Sequence, residues 1–168
     1  LAIDPGNTES AYVLVGADDL KPWEFEKIEN HRLLQYIFDL RNRLTEGESI
    51  EAFVIERVAS YGLAVGRDVF ETCEWIGRFT QCIHSNYGRE PDYIYRKEEK
   101  QIICGDLKAK DSNIRRALID RFARHDLKNG KGTKKNPDWF HGFHADCWAA
   151  FAVATTWADK KQSTPTDS

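Results

Sequence analysis

The chain has 168 residues with 24 Lys and Arg against 27 Asp and Glu, a formal charge of -3, and 41% hydrophobic and 12% aromatic residues. That length and apolar content suit one folded domain with its own core and exclude an intrinsically disordered chain. No apolar run reaches the roughly 18 residues of a membrane-spanning helix, and no charged-then-apolar leader pattern opens the chain, so a soluble, cytoplasmic protein is expected.

Leu1 to Asp4 is a short apolar run ending in an acid, Pro5-Gly6-Asn7 has turn chemistry, and Ala11 to Val15 is β-rich, which together predict a hairpin. Because that strand begins at residue 1, native residues before Leu1 are expected. Trp23 to Ile28 alternates apolar and charged residues as a third strand with one wet face. Leu33, Leu34, Ile37, Phe38 and Leu40 fall at helical spacing between Asn30 and Leu44, with Gly47 beyond as a stop. Ala52 to Ile55, apolar throughout, predicts a buried central strand ending at Glu56. The stripe Val69, Phe70, Cys73, Ile76, Gly77, Phe79 and Ile83 predicts a helix from about Asp68 to Asn86, with Gly77 allowing close packing on a neighbour. Tyr93 to Tyr95 is a fifth short strand, and Ser112 to Arg124 is helical. A Gly/Lys/Asn-rich loop follows from Lys128 to Asn136, then an apolar helix from Ala145 to Trp157. Residues 1–160 thus form one domain, with an unstructured tail at 161–168. Three consecutive strands followed by alternating helices and strands predict an α/β fold: a five-stranded mixed sheet, antiparallel meander on one side and parallel strands on the other, helices on both faces.

Cys73, Cys82, Cys104 and Cys147 lack any CxxC spacing, which predicts reduced, mostly buried thiols and not zinc ligands. Charge is unevenly spread. From Arg96 to Lys135 there are 13 Lys and Arg against 6 Asp and Glu, an excess of 7 positive charges in a chain that is net acidic. Either a solvated surface or a stretch facing a phosphate chain accounts for that asymmetry.

The chemistry lies in the acids. Asp4 closes a buried strand before a Pro-Gly turn, and Glu56 closes another. Adjacent parallel strands bring such ends together at the edge where open α/β sheets bind ligands. Paired buried carboxylates share a proton or hold a cation. Asp146 opens the last helix, where Ala145, Ala149 and Ala150 permit a close approach to the sheet; an acid there also serves as a helix cap. Oxygen-only ligation suits Mg²⁺ or Mn²⁺, and two such ions can drive in-line phosphodiester hydrolysis.

With these residues in place, the sequence resembles the RuvC-type Holliday junction resolvases of the RNase H-like superfamily and their phage relatives. Leu1-Ala-Ile-Asp-Pro-Gly-Asn-Thr-Glu-Ser-Ala-Tyr looks like their first-strand signature, Val54-Ile-Glu like their second acidic strand, and Asp146-Cys-Trp-Ala-Ala-Phe-Ala like their C-terminal acidic helix. Lys100-Gln-Ile-Ile-Cys-Gly-Asp-Leu-Lys-Ala-Lys is similar to the family segment that faces substrate phosphates. The resemblance implies a divalent-metal endodeoxyribonuclease cutting branched DNA, with Asp4, Glu56 and Asp146 as ligands. It also implies Lys100 at the scissile phosphate and Lys108 and Lys110 on the flanking backbone. The family's fourth ligand falls on Phe143 here, which leaves His144 as the nearest substitute and His141 as the second candidate. Relatives carry strand-parting aromatics after the second acid. That assigns Arg57 and Tyr61 to substrate, with Tyr61 alone able to stack on a base. A homodimer through the Asp68–Asn86 helix is implied too, since symmetric cutting needs two sites. The rival readings are an RNA/DNA-hybrid nuclease, a phosphotransferase domain of the actin and sugar-kinase superfamily, and a catalytically silent nucleic-acid-binding module.

Overall fold

A computed structural model describes residues 1–60, 62, 64–144 and 146–163. The hairpin forms as expected: β1 (Ala2–Asp4) pairs antiparallel with β2 (Glu9–Val15), which pairs antiparallel with β3 (Pro22–Glu29). α1 (Asn30–Arg43) leads to β4 (Val54–Arg57), which lies parallel to β1. α2 (Arg67–Tyr87) then returns the chain to β5 (Asp92–Tyr95), parallel to β4. The remaining helices are α3 (Arg96–Cys104), α4 (Asp111–Phe122) and α5 (Cys147–Ser163). The sheet order β3-β2-β1-β4-β5 is the meander-plus-parallel arrangement of an RNase H-like fold.

Alternation along the strands divides the core into two layers. Ile3, Tyr12, Leu14 and Ile55 pack under α1 and α2 through Leu33, Ile37, Phe79 and Ile83. Ala2, Val13, Val54 and Ile94 face α5 through Ala150, Phe151 and Val153. α5 is apolar nearly all round because α3, α4 and the sheet enclose it, the pattern expected of a buried helix.

Five expectations need correction. α3 follows β5 without a linker, where no helix is anticipated. α4 stops at Phe122, two residues early, because the next amides turn to the Asp138 carboxylate. α5 continues six residues past Trp157, to Ser163. Gly77 is not a packing contact: an added Cβ there meets nothing within 4 Å. The thiols are also less buried than expected, since Cys147 alone is fully enclosed, Cys82 and Cys104 are half-buried and Cys73 is exposed; all four are free. Among the described residues no helix is long and apolar enough to cross a membrane.

Candidate active site

Asp4 and Glu56 are neighbours by register. Ile3 pairs with Ile55, so the next residue of each parallel strand stands at the carboxyl edge, and alternation points both toward the α5 layer, on the face of Ala2 and Val54. A clamp fixes the turn that follows Asp4. The Gly6 amide donates to Ser10 Oγ (3.1 Å), Ser10 donates to Asn30 Oδ1 (2.6 Å), and the Asn30 side-chain amide donates to the Gly6 carbonyl (2.9 Å). Ser10 and Asn30 are buried, and a Cβ on Gly6 would come within 2.3 Å of the Glu9 carbonyl oxygen, so only glycine fits.

The two carboxyls share a hydrogen bond, and both are pushed above the usual carboxylate range. Burial is the first cause for each; next comes repulsion from Glu56 for Asp4 and from Glu99 for Glu56. Asp146 lies within electrostatic range of Asp4 and immediately precedes α5, its carbonyl accepting from the Ala149 and Ala150 amides. Its carboxylate pairs with Lys27 Nζ at 2.5 Å. Lys27 reaches it because Asp4, Ala11 and Lys27 form one cross-strand row.

Glu99, which sequence patterning does not single out, is a third acid beside Asp4 and Glu56, and the one that is fully buried. Its side chain is 0% exposed, it pairs with Arg96, and its Oε1 has no hydrogen-bond partner. Burial pushes it up to about 7 against the pull of Arg96, with Asp4 and Asp111 raising it further. Arg96 also binds Asp111 and lies within electrostatic range of Glu56 and Asp4. Lys100, one residue after Glu99, is half-buried on the helix face it shares with Arg96 and Ile103.

The other expected residues stand apart. His144 is exposed, with Nε2 3.6 Å from Glu26 and 3.7 Å from the Cys147 sulfur, at the β3 side. The ring of His141 contacts the Lys131 carbonyl at 3.1 Å. Phe143, the position that the resemblance assigns to a fourth ligand, is buried against Phe25 (ring centroids 4.5 Å), Phe140, Trp148 and Phe151, which leaves no room for a charge. The Arg57 guanidinium lies over the Tyr93 ring at 4.9 Å, on the other face of the sheet from Glu56. Lys108 and Lys110 are exposed where α3 turns into α4, their amides held by Asp106 and Asn113. Tyr61 lies outside the described residues.

Most of the basic loop is held rigid by two carboxylates. Asp138 accepts from the amides of Arg124, His125, Asp126 and Trp139, and Asp126 from those of Lys128, Asn129, Lys131 and Gly132. A cavity of about 520 Å³ opens at the opposite end of the sheet beside Leu1, Leu14, Trp23 and Trp157, away from the acids.

The donor set is all oxygen, and among the described residues Lys27 and Arg96 form ion pairs with it, which fits a hard divalent cation. As the side chains stand, no three His, Cys, Asp or Glu among the described residues converge tightly enough to grip one ion. Lys27 binds Asp146 and Arg96 binds Glu99, pairs that a cation would have to displace.

No protein-family model matches the sequence, and no curated protein matches it. Solved structures do match. RuvC of Thermus thermophilus in complex with a Holliday junction substrate superposes with a TM-score of 0.66 at 15% identity, covering 96% of this chain and 93% of that one. A second Thermus thermophilus RuvC structure gives 0.63 at 18% identity, with the same coverage. At that identity the likeness concerns the backbone, and over nearly its whole length this chain has a RuvC-like, RNase H-type α/β fold.

Proposed function

We propose that the chain is a divalent-metal-dependent endonuclease that cuts branched DNA, four-way junctions foremost. The observation that carries this reading is the Asp4–Glu56 pair: two half-buried, hydrogen-bonded carboxyls at adjacent parallel strand ends, with Asp146 entering from α5 in range of Asp4. Such a cluster is costly in a folded protein unless its charge is used. Mg²⁺ or Mn²⁺, two ions per site, would supply the charge that makes water nucleophilic near neutral pH and offsets the charge that develops on the phosphate. Asp4 and Glu56 hold from the sheet and Asp146 closes from the helix. Lys100 meets the scissile phosphate, and Lys108 and Lys110 contact the flanking backbone. The loop from Lys128 to Lys135 extends that positive surface. A homodimer through α2, whose Phe70 is exposed, would place two such sites for symmetric cuts.

The test is incubation of four-way junction, linear duplex and RNA/DNA hybrid with Mg²⁺, Mn²⁺ or EDTA, using wild type, Asp4→Asn, Glu56→Gln and Asp146→Asn. Paired symmetric nicks in the junction, dependent on metal and lost in each variant, are expected. Undiminished cutting by any variant overturns the site, and preference for the hybrid overturns the substrate. ATP hydrolysis without cleavage overturns the nuclease reading altogether.

A further inference from the structure

We infer that Glu99 is the fourth carboxylate of the cation site, delivered by α3 beside Asp4 and Glu56, whereas the α5 side offers the buried ring of Phe143. This rests on the metal-nuclease reading. β5 lies beside β4 with Ile94 paired to Glu56, and α3 begins directly at the end of β5, so its first turn stands over the carboxyl edge of the sheet. Glu99 is carried there fully buried, in range of both Asp4 and Glu56.

A purely structural ion pair does not explain it. Arg96 binds one Glu99 oxygen and uses its other amino group on Asp111, so Oε1 stays buried and unpartnered, a costly state for an ionised oxygen. Buried ion pairs are replaced by apolar residues with little or no loss of stability, so packing alone gives no reason to keep an acid here. A third acid set beside two others also adds repulsion, which a cation relieves. His144, the substitute suggested by chain position, is exposed and faces Glu26. In this arrangement Arg96 is the resident countercharge, displaced toward Asp111 when the ion enters.

Mn²⁺ titration of the DNA-free protein, with free Mn²⁺ read by electron paramagnetic resonance, tests this separately from cleavage. Glu99→Gln is expected to lose one bound ion or to weaken Mn²⁺ binding by about tenfold or more. Glu98→Gln, which removes a charge from the same helical turn, and His144→Ala are expected to titrate like wild type. If Glu99→Gln does not fold, as judged by circular dichroism in EDTA, Glu99→Asp keeps the charge but shortens its reach, and weaker Mn²⁺ binding is again expected. Wild-type titration by whichever of these two folds, or equal weakening by Glu98→Gln, overturns the inference. A wild-type protein that neither binds Mn²⁺ nor cuts DNA overturns the nuclease reading itself.

Discussion

Asp138→Asn removes one charge and changes almost no volume, yet it should be among the most damaging single substitutions in this chain. The Asp138 carboxylate receives the Arg124 amide at 2.9 and 3.1 Å, His125 at 2.9 Å, Asp126 at 2.7 Å and Trp139 at 2.7 Å, with its side chain fully enclosed. These bonds hold the acid well below the usual carboxylate range. An asparagine keeps one acceptor oxygen and turns an NH₂ toward the remaining donors. At least one amide is then orphaned and the rest fall to neutral strength. With charge-assisted bonds contributing about 1.5 to 3 kcal/mol each, the combined loss is roughly 3 to 5 kcal/mol, against a typical total stability of about 5 to 15. Chemical denaturation at pH 7 measures the loss, and hydrogen exchange at the four amides locates it. The sign with pH is definite. A depressed carboxylate contributes stability above its unfolded value of 3.8 and loses it as pH falls, so the gap between wild type and variant should be full at pH 7 and close under acid. A midpoint shift worth less than about 1 kcal/mol, or unchanged exchange at Arg124, His125, Asp126 and Trp139, refutes the account of how this loop is held.

Two further outcomes are expected. Phe143→Asp, which puts a carboxylate at the position that the resemblance assigns to a fourth ligand, should destabilise the fold by at least the roughly 3 to 5 kcal/mol of a lost buried aromatic ring, with no gain in Mn²⁺ affinity; a melting temperature like wild type contradicts the packing argument. In EDTA, stability should fall as pH rises from about 4.5 through about 7, because Glu99 is raised in the folded state from 4.5 to about 7, and Asp4 and Glu56 are raised with it. Glu99 alone accounts for about 3 kcal/mol, a melting shift on the order of 10 °C, and Mg²⁺ should flatten the slope; a pH-independent melting temperature in EDTA contradicts it.

Strand order was open to inspection because periodicity and turn residues encode it: Pro5-Gly6-Asn7, the alternation after Trp23 and the apolar run into Glu56 leave few other topologies. The sheet acids were equally visible, since a carboxylate ending an apolar strand is unusual in itself. α3 was hidden because Arg-Lys-Glu-Glu-Lys-Gln has no apolar stripe and Tyr95 is no conventional cap; the helix start is made by Glu98 receiving the Tyr95 amide. Glu99 and Arg96 were hidden with it, for their nearness to Glu56 arises only once β5 is laid against β4. Lys27 depends on the β2–β3 register, which alternation suggests but does not number. His144 shows the reverse case: closeness to Asp146 along the chain does not turn its ring toward Asp4, because the segment before α5 buries Phe143 and leaves its neighbour outside.

The Ser10–Asn30 clamp on the turn after Asp4 has a kinetic consequence. On the proposed metal-nuclease reading, with the sheet side of the site locked by Ser10 and Asn30, cation loading would require no backbone ordering there. Entry of an ion would then be an exchange of partners, in which the Lys27 ammonium gives up Asp146 and the Arg96 guanidinium gives up Glu99. Loading would therefore follow the lifetimes of two ion pairs, far shorter than any refolding step, and a metal-dependent enzyme so built could release and recapture its cations between turnovers while its sheet stays still.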